Sequence, residues 1–215
     1  MRTLTPLEAR VLGVLVEKQA TVPDTYPLSL NALVVGCNQK TARDPVIEAA
    51  DAEATTALDG LRALALVFET SGGRVVRYEH NMARALQLPG AAVALLATLM
   101  LRGPQTAAEL RLNCERLHRF ADVSSVQGFL DELAAKSPPR VVRLARAPGE
   151  REARWAHLLC GEPAPAPPRG AAPSGDSEVS AGELAALQAE QRRLAAELEE
   201  LRALVQRLAR ELGVS

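Results

Sequence analysis

The order of predicted secondary-structure elements occurs twice along residues 1–160, and this repeat limits the possible folds more than any other property of the sequence. Each copy has three helical segments followed by two β-prone runs joined by a turn. The turns contain Ser71-Gly72-Gly73 and Pro148-Gly149, residue types that are typical of hairpin connections. Three helices followed by a hairpin is the order of a winged helix, a variant of helix-turn-helix. The sequence therefore predicts two tandem winged-helix domains, over residues 1–86 and 87–160.

Helix starts are predicted from capping boxes, in which a Ser or Thr and a Glu or Gln three residues later satisfy the first backbone amides. Thr5 and Glu8 form such a pair, and Pro6 between them suits the first helical position. Three further pairs follow the same spacing: Thr106 with Glu109, Ser124 with Gln127, and Ser180 with Glu183. The second and third helices of the first copy are predicted from about Leu28 to Cys37 and from near Asp51.

The composition suits this helical fold. Apolar residues make up 47% of the chain but aromatic residues only 3%, so the cores must consist mainly of Leu, Val and Ala. Such cores favour helices packed closely on helices. We therefore predict a mainly α fold with small β-hairpin wings, in the α+β class.

A different kind of sequence follows the second repeat. Residues 161–180 are rich in Pro, Ala and Gly, which is typical of an extended, disordered linker. Residues 181–213 then carry a heptad register, which predicts a coiled-coil helix and a homodimer. Its core positions are Leu184, Leu187, Gln191, Leu194, Leu198, Leu201, Val205, Leu208 and Leu212. The same apolar stripe would also allow the helix to fold back on its own chain, and the sequence leaves that alternative open.

Catalytic and cofactor chemistry find little support in the sequence. The three cysteines and three histidines are far apart and form no zinc-ligand spacing, and no glycine-rich phosphate loop is present. We expect no catalytic residues, no metal and no cofactor, and hence no enzyme.

The N-terminus lacks the pattern of a signal peptide, and the longest apolar run, residues 90–101, is too short to span a bilayer. We therefore expect a cytoplasmic protein without membrane contact.

The charge distribution bears on nucleic-acid binding, which requires Lys and Arg to replace counterions on phosphates. The whole chain has a formal charge of −1, with net charges of −1, +3 and −3 over residues 1–88, 89–160 and 161–215. Both predicted third helices are acidic, with net charges of −2 each. The acidic residues are Asp51, Glu53 and Asp59 in the first and Asp122, Asp131 and Glu132 in the second. These charges disfavour ordinary major-groove recognition by either helix.

Candidate phosphate contacts lie instead in the two wings and in the polar turn "NQKTARD", residues 38–44, between the second and third helices. They are Lys40, Arg43, Arg74, Arg77, Arg140, Arg143, Arg146, Arg151 and Arg154. Each set has a structural alternative. The wing arginines can be solvated surface residues, and the side chains of the turn can cap the second helix and hold the turn together.

Several long motifs resemble one bacterial family. The segment "LTPLEARVLGVLVEKQATVPDTYPLSLNALVVGCNQKTARDPV" closely resembles the N-terminal half of the YceH family, and "LMLRGPQTAAELR", "RLHRFADV" and "PGEREARWAHLLCGE" resemble its second half. The resemblance covers about residues 3–162. It implies a tandem winged-helix fold, and it implies no particular activity.

Two functions are compatible with these observations. The first is a DNA-binding protein, a transcriptional regulator that dimerises through the coiled coil and contacts DNA by its wings and the turn. The second is an adaptor or scaffold that binds another protein and does not read DNA. A continuous basic face across both wings would favour DNA, whereas an exposed apolar groove between the two domains would favour a protein partner.

Overall fold

The fold is mixed α and β, as the sequence predicts. The computed structural model describes residues 2–70, 75–146, 150 and 152–163. Within these residues it contains seven α-helices, one short 3-10 helix and two small antiparallel sheets. The α+β class is therefore confirmed.

The N-terminal half, residues 2–88, contains three main helices and a sheet. Its elements are α1 (Pro6–Thr21), a 3-10 turn (Pro23–Thr25), β1 (Leu28–Ser29), α2 (Leu30–Cys37), α3 (Asp51–Ala63), β2 (Val67–Thr70), β3 (Arg77–His80) and α4 (Met82–Leu86). Strand β3 lies between β1 and β2, and Leu28 is opposite Tyr78 in the register. Neither β1 nor α4 is predicted from the sequence.

The C-terminal half, residues 89–163, repeats the order of three helices and two strands. Its elements are α5 (Gly90–Arg102), α6 (Ala107–Asn113), α7 (Val123–Ala135), β4 (Val141–Arg143) and β5 (Trp155–His157). Strands β4 and β5 form a two-stranded antiparallel sheet in which Val142 is opposite Ala156. A backbone bridge between Gln105 and Trp155 ties this sheet to the segment that precedes α6.

Two of the predicted capping boxes are confirmed and one is wrong. The pairs Thr5 with Glu8 and Thr106 with Glu109 exchange both hydrogen bonds of the motif. The predicted pair of Ser124 and Gln127 is replaced by a cap at Asp122, two residues earlier. The Asp122 carboxylate accepts from both the amide and the hydroxyl of Ser125 at 2.7 Å. A carboxylate at this position also interacts favourably with the helix dipole, so it is the stronger cap.

Helices α1 and α5 join the two halves. Both are buried along most of their length, and they pack directly against each other. At the contact, a Cβ added to Gly13 would lie 3.0 Å from Leu101 Cγ, so the absence of a side chain lets the helices approach closely. One continuous hydrophobic core therefore includes residues from both halves.

Several predicted features fall outside the described residues. These are the tips of both hairpins (residues 71–74 and 147–149), Arg151, all of the linker beyond Pro163, and the whole heptad segment with its capping pair. Within the ranges that the structure covers, none of the helices has the length and apolar character required to cross a membrane.

Candidate functional site

The segment that joins α2 to α3, residues 38–50, is a closed and tightly bonded loop, which we call the 38–50 loop. Asn38 closes its base, because its side-chain amide donates to the Ala49 carbonyl at 2.9 Å and accepts from the Ala49 amide at 2.8 Å. The Asp44 amide donates to the Leu101 carbonyl of α5 at 2.8 Å. The loop is therefore bonded to both halves of the protein.

Arg43 is the central residue of the 38–50 loop, and its side chain is completely buried. Its guanidinium donates two hydrogen bonds to the Glu17 carboxylate on α1, at 3.0 and 2.5 Å, and a third to the Gly36 carbonyl at 3.2 Å. Burial opposes ionisation of Glu17, but the Arg43 guanidinium, together with the smaller effect of Lys18, outweighs it and holds the pKa of Glu17 below its ordinary value. The expectation that Arg43 contacts phosphate is corrected, since a buried and paired guanidinium cannot reach a ligand at the surface.

A second buried arginine holds the far side of the loop. Arg10 on α1 is only 4% exposed, and it donates to the Pro45 carbonyl at 2.6 Å and to the Cys37 carbonyl at 3.3 Å. Burial, and then the neighbouring charge of Arg43, lower the pKa of Arg10. Two side chains of α1, Arg10 and Glu17, thus fix the position of the 38–50 loop.

The loop forms one wall of a cavity of about 560 Å³ between the two halves, which we call the inter-half groove. Leu7 of α1 and Pro45 and Ile47 of the loop line it from the N-terminal half, and Met100 of α5 and Ala156 of β5 line it from the C-terminal half. Volumes of roughly 300–1,000 Å³ with mainly apolar walls and a few polar groups are typical of ligand sites in proteins. The groove is therefore large enough and apolar enough to bind a ligand.

The polar residues of the groove are mostly acidic. Four carboxylates line it, those of Asp44, Glu48, Glu53 and Glu162, against the single guanidinium of Arg10. Asp44, Glu48 and Glu162 are exposed and take part in no salt bridge with any residue that the structure describes. The carboxylate of Glu53 accepts from the Ala50 amide at 2.8 Å.

Two further groups in the groove are neutral near pH 7, and burial favours the neutral form of both. Burial lowers the pKa of His157 to about 4, and it raises the pKa of the Cys160 thiol above its ordinary value. The Nδ1 atom of His157 is buried without a hydrogen-bond partner among the described residues. Neither group carries a charge near pH 7, so the acidic residues dominate the electrostatics of the groove.

The arginines of the second wing differ in their exposure to solvent. Arg143 and Arg146 are exposed and, with Val123, Gln127 and Glu152, line a cavity of about 330 Å³ beside the first turn of α7. Arg140 is half-buried. The structure thus brings two of the predicted contacts together next to the start of the third helix.

Arg154 is engaged within the protein. It donates to both oxygens of the Glu109 carboxylate, at 2.8 and 3.2 Å, and to Glu150 at 3.1 Å. Burial opposes ionisation of Glu109, but the Thr106 amide and the Arg154 guanidinium together lower the pKa of Glu109. Arg154 therefore fastens the second wing to the start of α6.

The predicted contacts in the N-terminal half are dispersed. Arg77 donates to the Thr25 and Pro27 carbonyls at 3.3 and 2.7 Å, so it is bonded to the segment between α1 and α2. Lys40 is exposed on the 38–50 loop. Arg74 lies, like Arg151, outside the described residues. The acidic residues Asp51 and Asp59 of α3 are exposed.

Sequence reasoning missed the two side chains of α1 that hold the 38–50 loop at the inter-half groove, Arg10 and Glu17. One signal for them was available. Arg10 interrupts the apolar face of α1 within "EARVLGVLVEKQ", and an arginine on the buried face of a helix requires partners inside the protein. The partners themselves, carbonyls at Cys37 and Pro45, cannot be recognised from residue types.

These features define a small α+β protein with two joined halves and a preformed acidic, apolar groove between them. The chain belongs to the family described as "Protein of unknown function, DUF480", whose model matches residues 4–150. The motifs predict that the chain belongs to a bacterial family without a settled activity, and this match confirms that prediction.

Relatives match the entire chain. A UPF0502 protein of Leptothrix cholodnii is 67% identical over 216 residues, which cover 100% of this chain and 97% of that protein. UPF0502 proteins of Burkholderia multivorans and Burkholderia pseudomallei are 64% and 63% identical, and the matches cover 100% of this chain and 91% of each relative. The C-terminal segment beyond residue 163 is thus included in these alignments.

Proposed function

We propose that this protein is a non-enzymatic adaptor that binds a segment of another protein in the inter-half groove. The observation that carries the proposal is the groove itself, a cavity of about 560 Å³ with apolar walls contributed by both halves. An exposed apolar depression on a protein surface favours contact with a partner, because leaving it in water is unfavourable.

The support of the groove adds to this proposal. Burying a guanidinium is costly unless it is paired and hydrogen-bonded, yet Arg10 of α1 and Arg43 of the 38–50 loop are both buried. Their hydrogen bonds hold the loop in one position before any ligand arrives. A preorganised site binds more tightly, because less conformational entropy is lost on binding.

The chemistry of the lining supports a binding role over a catalytic one. Among the described residues of the groove, Arg10 is bonded to backbone carbonyls, His157 is neutral with a pKa of about 4, and Cys160 has a raised pKa. A general base or a nucleophile at neutral pH requires a pKa near 7 or an activating neighbour. Binding without reaction is therefore the simpler use of this groove.

The order of elements and the heptads extend the proposal to the whole chain. We assign the two halves as winged-helix units, since each contains three helices followed by a hairpin. The acidic third helices fit protein contacts better than phosphate contacts.

A homodimer formed by the heptad segment would present two grooves, and two linked sites bind a repeated partner with increased avidity. The proposed location is the cytoplasm.

Selection from a random peptide library displayed on phage tests the adaptor function. Peptides selected on the full-length protein should bind in the groove, so the substitution Ile47→Glu should weaken them by more than tenfold. Leu112→Glu is the matched control, because Leu112 is 68% exposed and lies on α6 outside the groove. Circular dichroism should show both variants folded. Peptide binding that is equally strong in the Ile47→Glu and Leu112→Glu variants would refute the proposal.

DNA binding is the second candidate function, and one observation favours it. Arg143 and Arg146 are exposed beside the first turn of α7, where a recognition helix and its wing would meet DNA. Fluorescence anisotropy with random-sequence duplex DNA at increasing salt tests this candidate. Micromolar affinity that falls steeply with salt, and that is lost in Arg143→Glu/Arg146→Glu but kept in the control Arg84→Glu, would support it. No binding at low salt would remove it.

A further inference from the structure

We propose that the occupant of the inter-half groove is an apolar peptide segment that carries Lys or Arg at its ends. This inference rests on the proposed adaptor function and adds the chemical class of the partner. It is drawn from the arrangement of charges around the groove, which is independent of the apolar walls.

The carboxylates are distributed over separate parts of the groove. Asp44 and Glu48 belong to the 38–50 loop, Glu53 lies in the first turn of α3, and Glu162 follows β5. Asp44, Glu48 and Glu162 are exposed and form no salt bridge within the described part of the chain, so their charges face solvent and a ligand. A bound segment would therefore have carboxylates near it at several points.

The protein itself does little to neutralise these charges at the groove. The one guanidinium among the lining residues, Arg10, is 4% exposed and donates to the Cys37 and Pro45 carbonyls. His157, the other basic group of the lining, is uncharged near pH 7 because burial lowers its pKa to about 4. A cationic ligand would supply the missing counter-charge, whereas an acidic one would be repelled.

The combination of apolar walls and acidic edges selects a particular kind of side chain. Lys and Arg pack their aliphatic stems along apolar surface while the charged head stays in water. A peptide with apolar residues against Leu7 and Ile47 can thus place basic residues within reach of Glu48 and Glu162. Complementary charges of this kind mainly set specificity and the rate of association.

Charge reversal at the edge of the groove tests the inference. Peptides selected from the random library on the wild-type full-length protein should be enriched in Lys and Arg beside an apolar core. Selection on the variant Glu48→Lys/Glu162→Lys should instead enrich Asp and Glu. A wild-type-selected peptide should bind this variant roughly tenfold more weakly at low salt, since two exposed attractions become repulsions.

A second charge reversal controls for net charge. Asp131 and Glu132 are exposed on α7 and do not line the groove, so Asp131→Lys/Glu132→Lys changes the net charge by the same amount. This control should bind the peptides as the wild type does. An equal loss in both charge-reversal variants would overturn the inference.

The possible outcomes separate the inference from the function on which it rests. Peptides that depend on Ile47 but show no basic enrichment would overturn the inference and leave the adaptor function standing. Peptides that do not depend on Ile47 would overturn the adaptor function. A synthetic peptide APAPPRGAAP has the sequence of residues 164–173. If it bound the groove more tightly than every selected peptide, the occupant would be a segment of this chain, and the inference of a separate protein partner would be overturned.

Discussion

Arg43 in the 38–50 loop and Glu17 near the end of α1 are joined by two parallel hydrogen bonds of 3.0 and 2.5 Å, and the Arg43 side chain is completely buried. Bidentate pairs of this kind fix geometry as well as adding energy. Because Arg10 holds the same loop from the other side, the position of one groove wall depends on the interior of the protein. A residue that resembles a surface phosphate contact in the sequence is thus a structural support.

Loss of the Arg43 guanidinium should strongly destabilise the protein. The variant Arg43→Met keeps most of the side-chain volume but leaves the half-buried Glu17 carboxylate without its bidentate partner. We expect a decrease of about 3 kcal/mol in the free energy of unfolding, measured by urea denaturation. Lys40→Met, an exposed change in the same loop, is the control and should have little effect. Adding Glu17→Gln to Arg43→Met should restore part of the loss, and no restoration would contradict this account.

Stability should fall with decreasing pH in two adjoining ranges. Burial lowers the pKa values of His80 and His157 to about 4, so between pH 6.5 and 4 the unfolded chain binds protons that the folded protein does not. The free energy of unfolding therefore decreases as the pH falls through this range. Arg43, with a smaller effect of Lys18, overcomes the opposing effect of burial and lowers the pKa of Glu17, and that contribution is complete above about pH 4.5 and lost at lower pH.

The histidine contribution can be isolated by substitution. His157→Phe should reduce the slope of unfolding free energy against pH, between pH 5 and 6, by up to about 1.4 kcal/mol per pH unit. His118→Phe is the control, since His118 is exposed. Denaturation midpoints measured across pH 4.5–7.5 provide the comparison. An unchanged slope in His157→Phe would show that this side chain is not responsible.

Two helical glycines should respond to alanine in opposite directions. A Cβ at Gly60 in α3 would overlap the Glu8 carboxylate, which caps α1 and is paired with Arg2. Despite a gain in helix propensity, we expect Gly60→Ala to lower the free energy of unfolding by about 1 kcal/mol. A Cβ at Gly128 in α7 meets no atom within 4 Å, so Gly128→Ala should raise it by about 0.5–1 kcal/mol. Equal effects in thermal or urea denaturation would contradict the contact at Gly60.

Self-association should depend on the heptad positions of the C-terminal segment. Leu194→Asp/Leu201→Asp places two carboxylates at the predicted core of the coiled coil and should convert the proposed dimer to a monomer without unfolding residues 2–163. Light scattering measures the mass. Ala196→Asp/Ala203→Asp adds the same charge at outward positions of the same heptads and should leave the dimer intact. A dimer that persisted in the leucine variant would refute the assignment.

The main helices and strands of the fold were predicted from local sequence signals. Thr5, Pro6 and Glu8 predicted the start of α1, and Thr106 and Glu109 that of α6, because a cap is an interaction among neighbouring residues. The β-prone runs on either side of residues 71–73 became β2 and β3. Two exceptions were decided by competition between alternative partners. Asp122 caps α7 in place of Ser124, and Leu28 pairs with Tyr78 in a strand where a helix was predicted.

The candidate site could not be predicted from neighbouring residues. The residues of the inter-half groove come from α1, the 38–50 loop, α5 and the segment after β5, which are up to about 150 positions apart in the chain. Only the packing of α1 on α5, which the small size of Gly13 permits, brings them together.

The sequence by itself determined the family, the α+β class, the repeated order of helices and strands, and most helix starts, since these depend on neighbouring residues and on periodicity. Only the tertiary structure decided which charged residues face solvent. Arg43 and Arg10 became buried supports while Arg143 and Arg146 remained exposed, although all four are arginines. The physical reason is that the state of a guanidinium depends on whether distant carbonyls and carboxylates meet it inside the fold, and that requires contacts between residues far apart in the chain.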